Sequence, residues 1–439
     1  MNIIRPRFFI IVLTSILCAC AGPSLQYKKD VSKLMANNNF ENASAKIKNN
    51  QKKQYGDKNA VLYQIDLALA QQASYDTKDS ISNFLEAQRL NEDLITKSVT
   101  QNLGSLMIND NTLPYKMPMY EQALTYFFTA MNYLSERNFE DAAVEMRKAV
   151  FFLDKYRENT KKIYNDDPFV QYFASMIFED IGQLSSARIA RTNALNAYEK
   201  LKGYFNASAP SSTLPANYKE LGELVFIHYN GKSPVKISNQ VSVSWDRLGF
   251  ILNNNNSLQG TPKQTIDAIF SGLYGRTIAI SYPVYIDIPY GGSSSAIVLE
   301  NGQKITTKNV ADIASAAKLT LQEESDAIWA RTATRVATKF IISKQAHDIA
   351  NKNTDNNGTV LLVDILTNIF NTATEQADTR SWLTLPAQIK MANVFLEPGE
   401  YNIDFYNYNG AGLPIDTYHF DNVKIKKGER TYLWRYSSK

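Results

Sequence analysis

The chain has 439 residues, of which 44% are hydrophobic and 11% aromatic, and this composition is typical of a globular protein with two or three domains. Its 47 basic and 43 acidic side chains leave a formal net charge of only +4 at pH 7. This near balance lacks the basic stripe of a nucleic-acid-binding protein, so we expect no nucleic-acid partner.

The first 20 residues have the layout of a secretory signal. Arg5 and Arg7 precede an apolar run over residues 8–17, which is shorter than the roughly 20 residues that a transmembrane helix needs. The stretch LCAC, which ends at Cys20, resembles a bacterial lipobox. This resemblance implies that residues 1–19 are removed as a signal peptide and that Cys20, bearing a lipid, begins the mature chain. The alternatives are an ordinary signal peptide and an uncleaved N-terminal anchor.

The position of the second cysteine and the residue after the lipobox add two expectations. Cys18 would leave with the signal, so the mature chain would have no disulfide, no cysteine zinc site and no thiol nucleophile. Ala21, rather than aspartate, follows Cys20, and by resemblance to enterobacterial sorting signals this favours the outer membrane. We therefore expect a protein that is lipid-anchored to the outer membrane and faces the periplasm.

Residues 20–205 are predicted to be all α-helical, because apolar residues recur at i, i+3, i+4 and i+7. The segment over residues 119–153 follows the tetratricopeptide (TPR) pattern, with the small residues Ala130 and Ala142 where paired helices approach closely. Four helical pairs are expected to form a TPR-like solenoid, which would present a face to a protein partner. An unrelated helical bundle is the alternative. The matching positions in the other copies are Phe40, Ala43, Ala68, Ser80, Phe84, Ala87, Ser175, Phe178, Gly182, Leu184, Ala187 and Ala194.

A linker is predicted over residues 206–217, which are rich in serine, proline, alanine and asparagine. The chain that follows, residues 218–439, is predicted to be a mixed domain with an antiparallel β-sheet and inserted helices. Its first strand-like runs cover residues 223–231, 234–245 and 276–290. The third run alternates with period 2 and leads into a Gly-Gly-Ser turn, which we interpret as a hairpin.

A helical insertion is predicted over residues 310–376, approximately, because the apolar spacing returns to a helical period there. It contains the apolar stretch VLLVDILTNIF, residues 360–370. Burial between the sheet and the long helix is favoured for this stretch because it keeps one polar stripe, and docking on a membrane or a partner subunit is the alternative.

Strand patterns resume after the insertion. They begin with WLTLP, residues 382–386, and continue through four further runs to the end of the chain. Turn residues at Pro398-Gly399 and Lys427-Gly428 indicate the edge of a small antiparallel sandwich. The β-rich parts on either side of the insertion are expected to pair in one sheet, so the predicted fold class is α+β.

Three residues near the end of the insertion form a candidate motif. In one interpretation they form an exposed recognition patch, because arginine and tryptophan are enriched at interface hot spots. The three residues are Asp378, Arg380 and Trp382. In the other interpretation, Asp378 caps a helix or pairs with Arg380, and Trp382 fills the core. The second interpretation is favoured.

No pattern in the sequence indicates catalysis. The three histidines, His228, His347 and His419, are far apart and form no metal-binding pair. Phosphate-binding loops, dinucleotide fingerprints and nucleophile elbows are absent from the sequence. We therefore expect no enzyme, no metal and no cofactor.

Several stretches together resemble a family of uncharacterised bacterial outer-membrane lipoproteins with a tetratricopeptide-like N-terminal region. They are the lipobox, the two best helical copies, ELVFIHYNGKSPVK, ISYPVY and, most specifically, ADTRSWLTLP over residues 377–386. The resemblance implies a non-enzymatic scaffold that binds other envelope proteins during envelope or surface-structure assembly. The alternatives are a module that binds or processes peptidoglycan or another glycan, and a subunit of a secretion or motility apparatus.

Overall fold

A computed structural model gives the architecture of the chain. The structure describes residues 22–98, 113–210, 214–244, 277–329, 331–332 and 377–439. Cys20, His347 and the apolar stretch 360–370 lie outside the described residues. Over the described part the protein is α+β, with helices in the N-terminal half and sheets in the C-terminal half. A search of that part finds no helix that is long and apolar enough to cross a membrane.

The described residues before 210 form eight α-helices that are joined in pairs as helical hairpins. A π-helix of five residues, Gln51–Tyr55, follows the second helix. Helices that follow one another along the chain also pack against one another, so the four hairpins form one layer. The helices are α1 Leu25–Ala36, α2 Phe40–Asn49, α3 Ala60–Ala73, α4 Thr77–Ser98, α5 Met119–Ser135, α6 Phe139–Asn159, α7 Pro168–Asp180 and α8 Leu184–Leu201.

All four hairpins turn in the same way. In each turn one residue is left-handed: Asn38, Tyr75, Arg137 and Gly182 have φ values of 56°, 64°, 57° and 74°. In each case the next N–H donates to the carbonyl five residues before it, at 2.7 to 3.0 Å. This pairing is the Schellman motif that ends a helix and starts a turn. The left-handed residue sits two positions before the following helix in every hairpin.

Small or β-branched residues occupy equivalent buried positions around these turns. Seven residues before the left-handed residue lie Val31, Ala68, Ala130 and Ser175, and all four are fully buried. Five residues after it the side chains are again small, so the two helices of each hairpin approach closely. These residues are Ala43, Ser80, Ala142 and Ala187.

The described C-terminal residues form ten strands in two four-stranded sheets and one two-stranded ribbon. The first sheet has the order β10-β1-β7-β6 and is mixed, because β1 and β10 are parallel. The second sheet, β5-β4-β8-β9, is antiparallel, and β2 pairs with β3 in the ribbon. The strands are β1 Gly222–Asn230, β2 Val235–Ser244, β3 Thr277–Ile286, β4 Ser294–Leu299, β5 Lys304–Thr306, β6 Lys308–Asp312, β7 Gln388–Leu396, β8 Gly399–Tyr408, β9 Pro414–Ile425 and β10 Arg430–Ser437.

The helical layer and the two sheets are stacked in three layers. All nine residues of β1 are buried: one face, with Val225 and Ile227, joins the core cluster of the helices, while Leu224 and Phe226 pack against the second sheet. Each helical hairpin places at least one aromatic ring against the first sheet, and the shortest pair of each hairpin has centroids 5.1 to 5.8 Å apart. The pairs are Phe40–Tyr436, Tyr75–Trp434, Phe128–Tyr229 and Phe173–Tyr432.

Several sequence predictions need correction. The predicted helical insertion starts later than 310, because residues 308–312 form β6 and the helix covers residues 313–329 of the described part. No hairpin closes at 291–293, since β3 pairs with β2 while β4 pairs with β5 and β8. Gly291 instead donates its N–H to the carbonyl of Lys439, which holds this turn against the C-terminus.

The β-rich parts on either side of the insertion do pair, but they form two sheets rather than one. β1 pairs with β7 and β10 in the first sheet, and β4 pairs with β8 in the second. The chain crosses between the sheets at Pro398-Gly399 and again at Lys427-Gly428, so neither turn closes a hairpin. WLTLP, residues 382–386, was predicted as a strand and forms none. Its N–H groups at residues 382–384 donate to side-chain carboxylates on helices instead of to a neighbouring strand.

The described part of the predicted linker is fixed to the first sheet. The N–H of Asn206 donates to Asp312 at 2.9 Å, and the N–H of Ser208 donates to the carbonyl of Asn309 at 3.1 Å. The hydroxyl of Tyr198, near the end of α8, donates to the carbonyl of Val310 at 2.7 Å. The last helix and the start of the linker are therefore attached to β6.

Candidate functional site

The candidate motif lies in an extended segment that crosses the helical layer just before β7. We call residues 377–387 the strap. Arg380 and Trp382 are 3% and 2% exposed, so their side chains are interior, and the side chain of Asp378 is 25% exposed. The structure thus brings the three predicted residues together in the contact between the strap and the helices, and these positions fit the core-packing interpretation.

Arg380 connects the strap to the segments that precede α3 and α5. Its guanidinium forms a two-point ion pair with Asp378, at 2.9 Å from Nε and 2.7 Å from Nη2. Nη1 donates to Asn59 Oδ1 at 3.1 Å and to the carbonyl of Leu113 at 2.7 Å. The ring of Tyr115 lies under the guanidinium, with its centroid 5.5 Å away. A planar, always charged fork suits this arrangement, which lysine would not reproduce.

Trp382 fills a gap between α4 and α5. Its ring lies 6.2 Å from that of Phe84 and 5.7 Å from that of Phe128, both at steep angles that favour edge-to-face contact. The indole Nε1–H donates to Thr384 Oγ1 at 3.0 Å. The polar atom of this large side chain is therefore satisfied inside the core.

Two buried carboxylates of the helices receive the backbone of the strap. Asp66 Oδ1 accepts the N–H groups of Leu383 and Thr384 at 2.7 and 3.1 Å, and its Oδ2 accepts the hydroxyl of Tyr55 at 2.9 Å. Glu121 Oε1 lies 3.4 Å from the N–H of Trp382. The helical layer thus holds the extended strap through backbone N–H groups that donate to buried carboxylates.

Two tyrosines donate hydrogen bonds to Glu121, and a third tyrosine extends the network. The hydroxyl of Tyr115 donates to Oε2 at 2.6 Å and that of Tyr120 to Oε1 at 3.1 Å. The Tyr120 hydroxyl also lies 3.2 Å from that of Tyr285 on β3. This network joins α5 to the β2–β3 ribbon.

Burial shifts the pKa of several groups in this region. It raises the pKa of Asp66 from 3.8 to about 7, although the hydrogen bonds from Tyr55 and the strap work against this shift. It also raises the pKa of Glu121, and it lowers the pKa of Lys28 to about 8. Burial alone would raise the pKa of Asp378, but the hydrogen bonds and charge of Arg380 hold it below its usual range.

The N-terminal end of the described chain meets the strap. Lys28 on α1 donates from Nζ to the carbonyl of Thr379 at 2.9 Å. Gly22 lies against Arg380, since a Cβ atom added at Gly22 would be 2.8 Å from Arg380 Cγ. The N–H of Ser24 donates to Gln54 Oε1 at 3.0 Å, in the π-helix. The strap, α1 and the π-helix therefore surround the start of the described chain.

The two histidines within the described residues, His228 and His419, lie away from this site. His228 is fully buried in the sandwich, where Nδ1 lies 2.8 Å from Ser295 Oγ and burial lowers its pKa well below the usual value. His419 is exposed, and its hydrogen bond with Asp404 raises its pKa. Within the described ranges, no group of three histidine, cysteine or acidic side chains is placed to hold a metal ion.

Asp66 and Glu121 are residues of this candidate site that the sequence analysis missed. Each is an acidic residue in an otherwise apolar helical stretch, AVLYQIDLALA and MYEQALTYFF. A charge in such a stretch is rarely buried without a partner, and that is the signal in the sequence that marks both residues.

Carboxylates and an arginine fix the extended strap between two helical hairpins. Comparison of the sequence with protein-family models, with curated proteins and with solved structures finds no match.

Proposed function

We propose that this chain is a non-enzymatic lipoprotein, anchored to the outer membrane through Cys20, that acts as a protein-binding scaffold on the periplasmic side. The observation that carries the proposal is the lipobox-like stretch LCAC placed immediately before the folded body. Residues 1–19 would be the signal peptide. The partners would be other proteins of the cell envelope.

The start of α1 supports a short tether. The helix begins at Leu25, and Ser24 caps it by accepting the N–H of Tyr27. Only residues 21–23 then separate the lipid-bearing Cys20 from the cap, Ser24, which is four residue steps from Cys20. Four extended residues span at most about 14 Å, so the anchor would hold the folded body directly at the membrane surface.

The four equivalent turns favour a TPR-like repeat array for the helical layer. Left-handed residues, Schellman hydrogen bonds and small buried residues recur at the same offsets in all four hairpins. In a repeat array each unit buries its apolar face against its neighbours, which agrees with the sequential packing of these helices.

One face of this array is filled by the chain itself. The strap and the first sheet cover it through Trp382 and through the aromatic pairs of all four hairpins. A protein partner would therefore use the opposite face. Large apolar residues are accessible elsewhere on the helices: Phe151 on α6 is 72% exposed and Leu195 on α8 is 49% exposed.

The anchor is tested first. Mass spectrometry of the purified mature protein should find acyl chains on Cys20, and the Cys20→Ala variant should leave the membrane fraction or remain unprocessed. Processing that continues unchanged in the presence of globomycin, an inhibitor of lipoprotein signal peptidase, would overturn the lipobox interpretation.

The scaffold role is tested by photo-crosslinking in intact cells. A photoreactive phenylalanine at position 151 or 195 should form a defined protein adduct, identified by mass spectrometry. The matched control is position 413 in the β8–β9 turn, where Leu413 is 62% exposed, and it should form no such adduct. Binding to purified cell-wall sacculi without a protein adduct would favour the glycan-binding alternative instead.

A further inference from the structure

The first helical hairpin and the π-helix are strongly basic. Residues 22–60 contain eight lysines and three acidic residues, whereas the mature chain outside this segment has more acidic than basic side chains. Six of the eight lysines are exposed, and four of these six lie near the start of α1, at the end of α2 or in the π-helix. We call them the N-terminal lysine face: Lys29, Lys48, Lys52 and Lys53.

Contacts in the structure place these lysines around the start of the chain. Lys52 and Lys53 belong to the π-helix, whose Gln54 accepts the N–H of Ser24. Lys48 lies about one helical turn before Lys52. Only one residue separates α2 from the π-helix, so the two lysines are on neighbouring turns.

α1 carries the fourth lysine and lies beside α2, which leads into the π-helix. Lys46 on α2 pairs with Asp30 on α1 at 2.9 Å, so the two helices are held side by side. Lys29 is exposed directly before Asp30. Leu25, the first residue of α1, is 59% exposed, which places an accessible apolar side chain beside the lysines.

We infer that the N-terminal lysine face binds the phosphate groups of anionic phospholipids in the membrane that holds the anchor. This inference rests on the proposed anchor at Cys20. A tether of four residue steps keeps Ser24 within about 14 Å of the lipid attachment point, and Ser24 is hydrogen-bonded to the π-helix that carries Lys52 and Lys53. Exposed lysines held near an anionic membrane surface are attracted to its negative charge, and salt screens this attraction over about a Debye length.

The combination of ammonium groups with one exposed leucine fits a membrane surface. An acyl anchor is strengthened by a second signal, and a basic patch beside the lipid is such a signal. The lipid headgroups also have an advantage over other anions of the envelope, because the anchor would hold them beside the lysines at all times.

Vesicle sedimentation of the mature chain with Cys20→Ser tests this inference without the lipid. Vesicles with 30% phosphatidylglycerol should bind the protein, and vesicles of phosphatidylcholine alone should bind it at least tenfold more weakly. Changing all four lysines of the face to glutamate should reduce binding to the anionic vesicles at least tenfold. Binding should also fall when sodium chloride is raised to 0.5 M.

A matched variant controls for net charge. It carries glutamate at four exposed lysines elsewhere, Lys155, Lys202, Lys308 and Lys424, and should bind as the parent does. Circular dichroism shows whether each variant is folded. A supplementary readout on the lipidated parent is amine acetylation, which should be at least threefold slower at the face in anionic vesicles and unchanged at Lys202.

Equal binding to both kinds of vesicle, or equal loss in both lysine variants, would overturn the inference while leaving the anchor standing. If vesicle binding depends on the four lysines but the chain carries no lipid in cells, the lysine face would still bind anionic lipid and the proposed anchor would be wrong. Retention on sacculi but not on vesicles would assign the lysine face to an anionic glycan and would also overturn the inference.

Discussion

Arg380 joins three parts of the chain that are far apart in sequence. Its partners are Asp378 in the strap, Asn59 before α3 and the carbonyl of Leu113 before α5. Replacing Arg380 by alanine would remove the guanidinium from all three acceptors and leave Asp378 with the backbone N–H of residue 380. Removing one partner of a buried pair costs about 3 kcal/mol or more. We expect the Arg380→Ala variant to lose about that much unfolding free energy in urea titrations.

The matched control for this loss is Arg89→Ala. Arg89 pairs with Glu86 and Asp93 on the exposed side of α4, where such pairs contribute little. The control should leave the urea midpoint unchanged. Arg380→Lys should recover only part of the loss, because an ammonium group cannot make the two-point pair. An Arg380→Ala variant as stable as its parent would contradict this account of the strap.

Asp66 should make stability depend on pH. Its pKa is raised by burial from 3.8 to about 7, so between these values the folded chain binds more protons than the unfolded chain. Folding stability from this group is therefore complete below pH 4 and is lost as the pH rises towards 7 and above. The slope from one group is at most about 1.4 kcal/mol per pH unit.

The Asp66→Asn variant isolates this contribution, because asparagine resembles the protonated acid. Its oxygen can accept from Leu383 and Thr384, and its NH₂ group can donate to Tyr55. We expect the variant to match its parent at about pH 3.5, where Asp66 is protonated in both states, and to be more stable at pH 8, in urea titrations at both values. Glu121, Tyr55 and Lys28 also face this region, and they remain unchanged in the comparison. The control, Asp93→Asn on the surface of α4, should follow the parent at both pH values, and parallel curves for parent and Asp66→Asn would contradict the assignment.

At the scale of elements, the helices were predictable and the strand pairing was not. Apolar spacing and small residues such as Ala130 and Ala142 depend on neighbours within a few turns, so the sequence alone located the helical half. Strand positions were also predicted within one or two residues for β1 and β2. Their partners were not, because the pairs β1–β10 and β4–β8 join residues more than 100 positions apart.

The strap shows the same limit at the candidate site. Its three residues were identified from the sequence, but WLTLP alternates as a strand does and was interpreted as one. The carboxylates that hold it, Asp66 and Glu121, come from α3 and α5, more than 250 residues earlier. Only the tertiary fold brings these groups together, so residue pattern could mark the strap but not its binding partners.

The repeated turns give a prediction for the helical hairpins. Gly182 has a φ of 74°, and no heavy atom lies within 4 Å of an added Cβ, so Gly182→Ala tests the backbone conformation alone. A left-handed conformation costs an alanine roughly 1 kcal/mol more than a glycine. We expect a loss of about this size in the unfolding free energy, measured by urea titration.

Gly203 provides the control for that substitution. It also has open space around an added Cβ, but its φ is not positive. Gly203→Ala should therefore cause no loss. Arg137→Gly, at the equivalent turn of the third hairpin, should cause no loss from the turn itself, because glycine adopts its φ of 57° without strain. Equal effects of the two alanine substitutions would show that the left-handed turn does not determine stability here.

At the scale of the whole molecule, the helical layer and the first sheet share one core. A single cluster of buried side chains runs from Val31 in α1 to Tyr436 in β10. Phe127 on α5 is in this cluster, with its ring 4.9 Å from that of Phe173 and 6.2 Å from that of Tyr229 on β1. Neither layer can lose this contact without exposing apolar surface of the other, so we expect the two to unfold together.

Phe127→Ala tests this coupling. Removing a fully buried phenylalanine costs about 3 to 5 kcal/mol, and in a shared core this loss appears in both layers. Hydrogen exchange of peptides from α5 and from β1, followed in low concentrations of urea, should report opening free energies that fall together by that amount. If the opening free energy falls only for α5 peptides, the helical layer opens by itself and could exchange the strap for a partner. If it falls equally for α5 and β1 peptides, the strap and the first sheet stay in place, and only the opposite face of the array is left for binding.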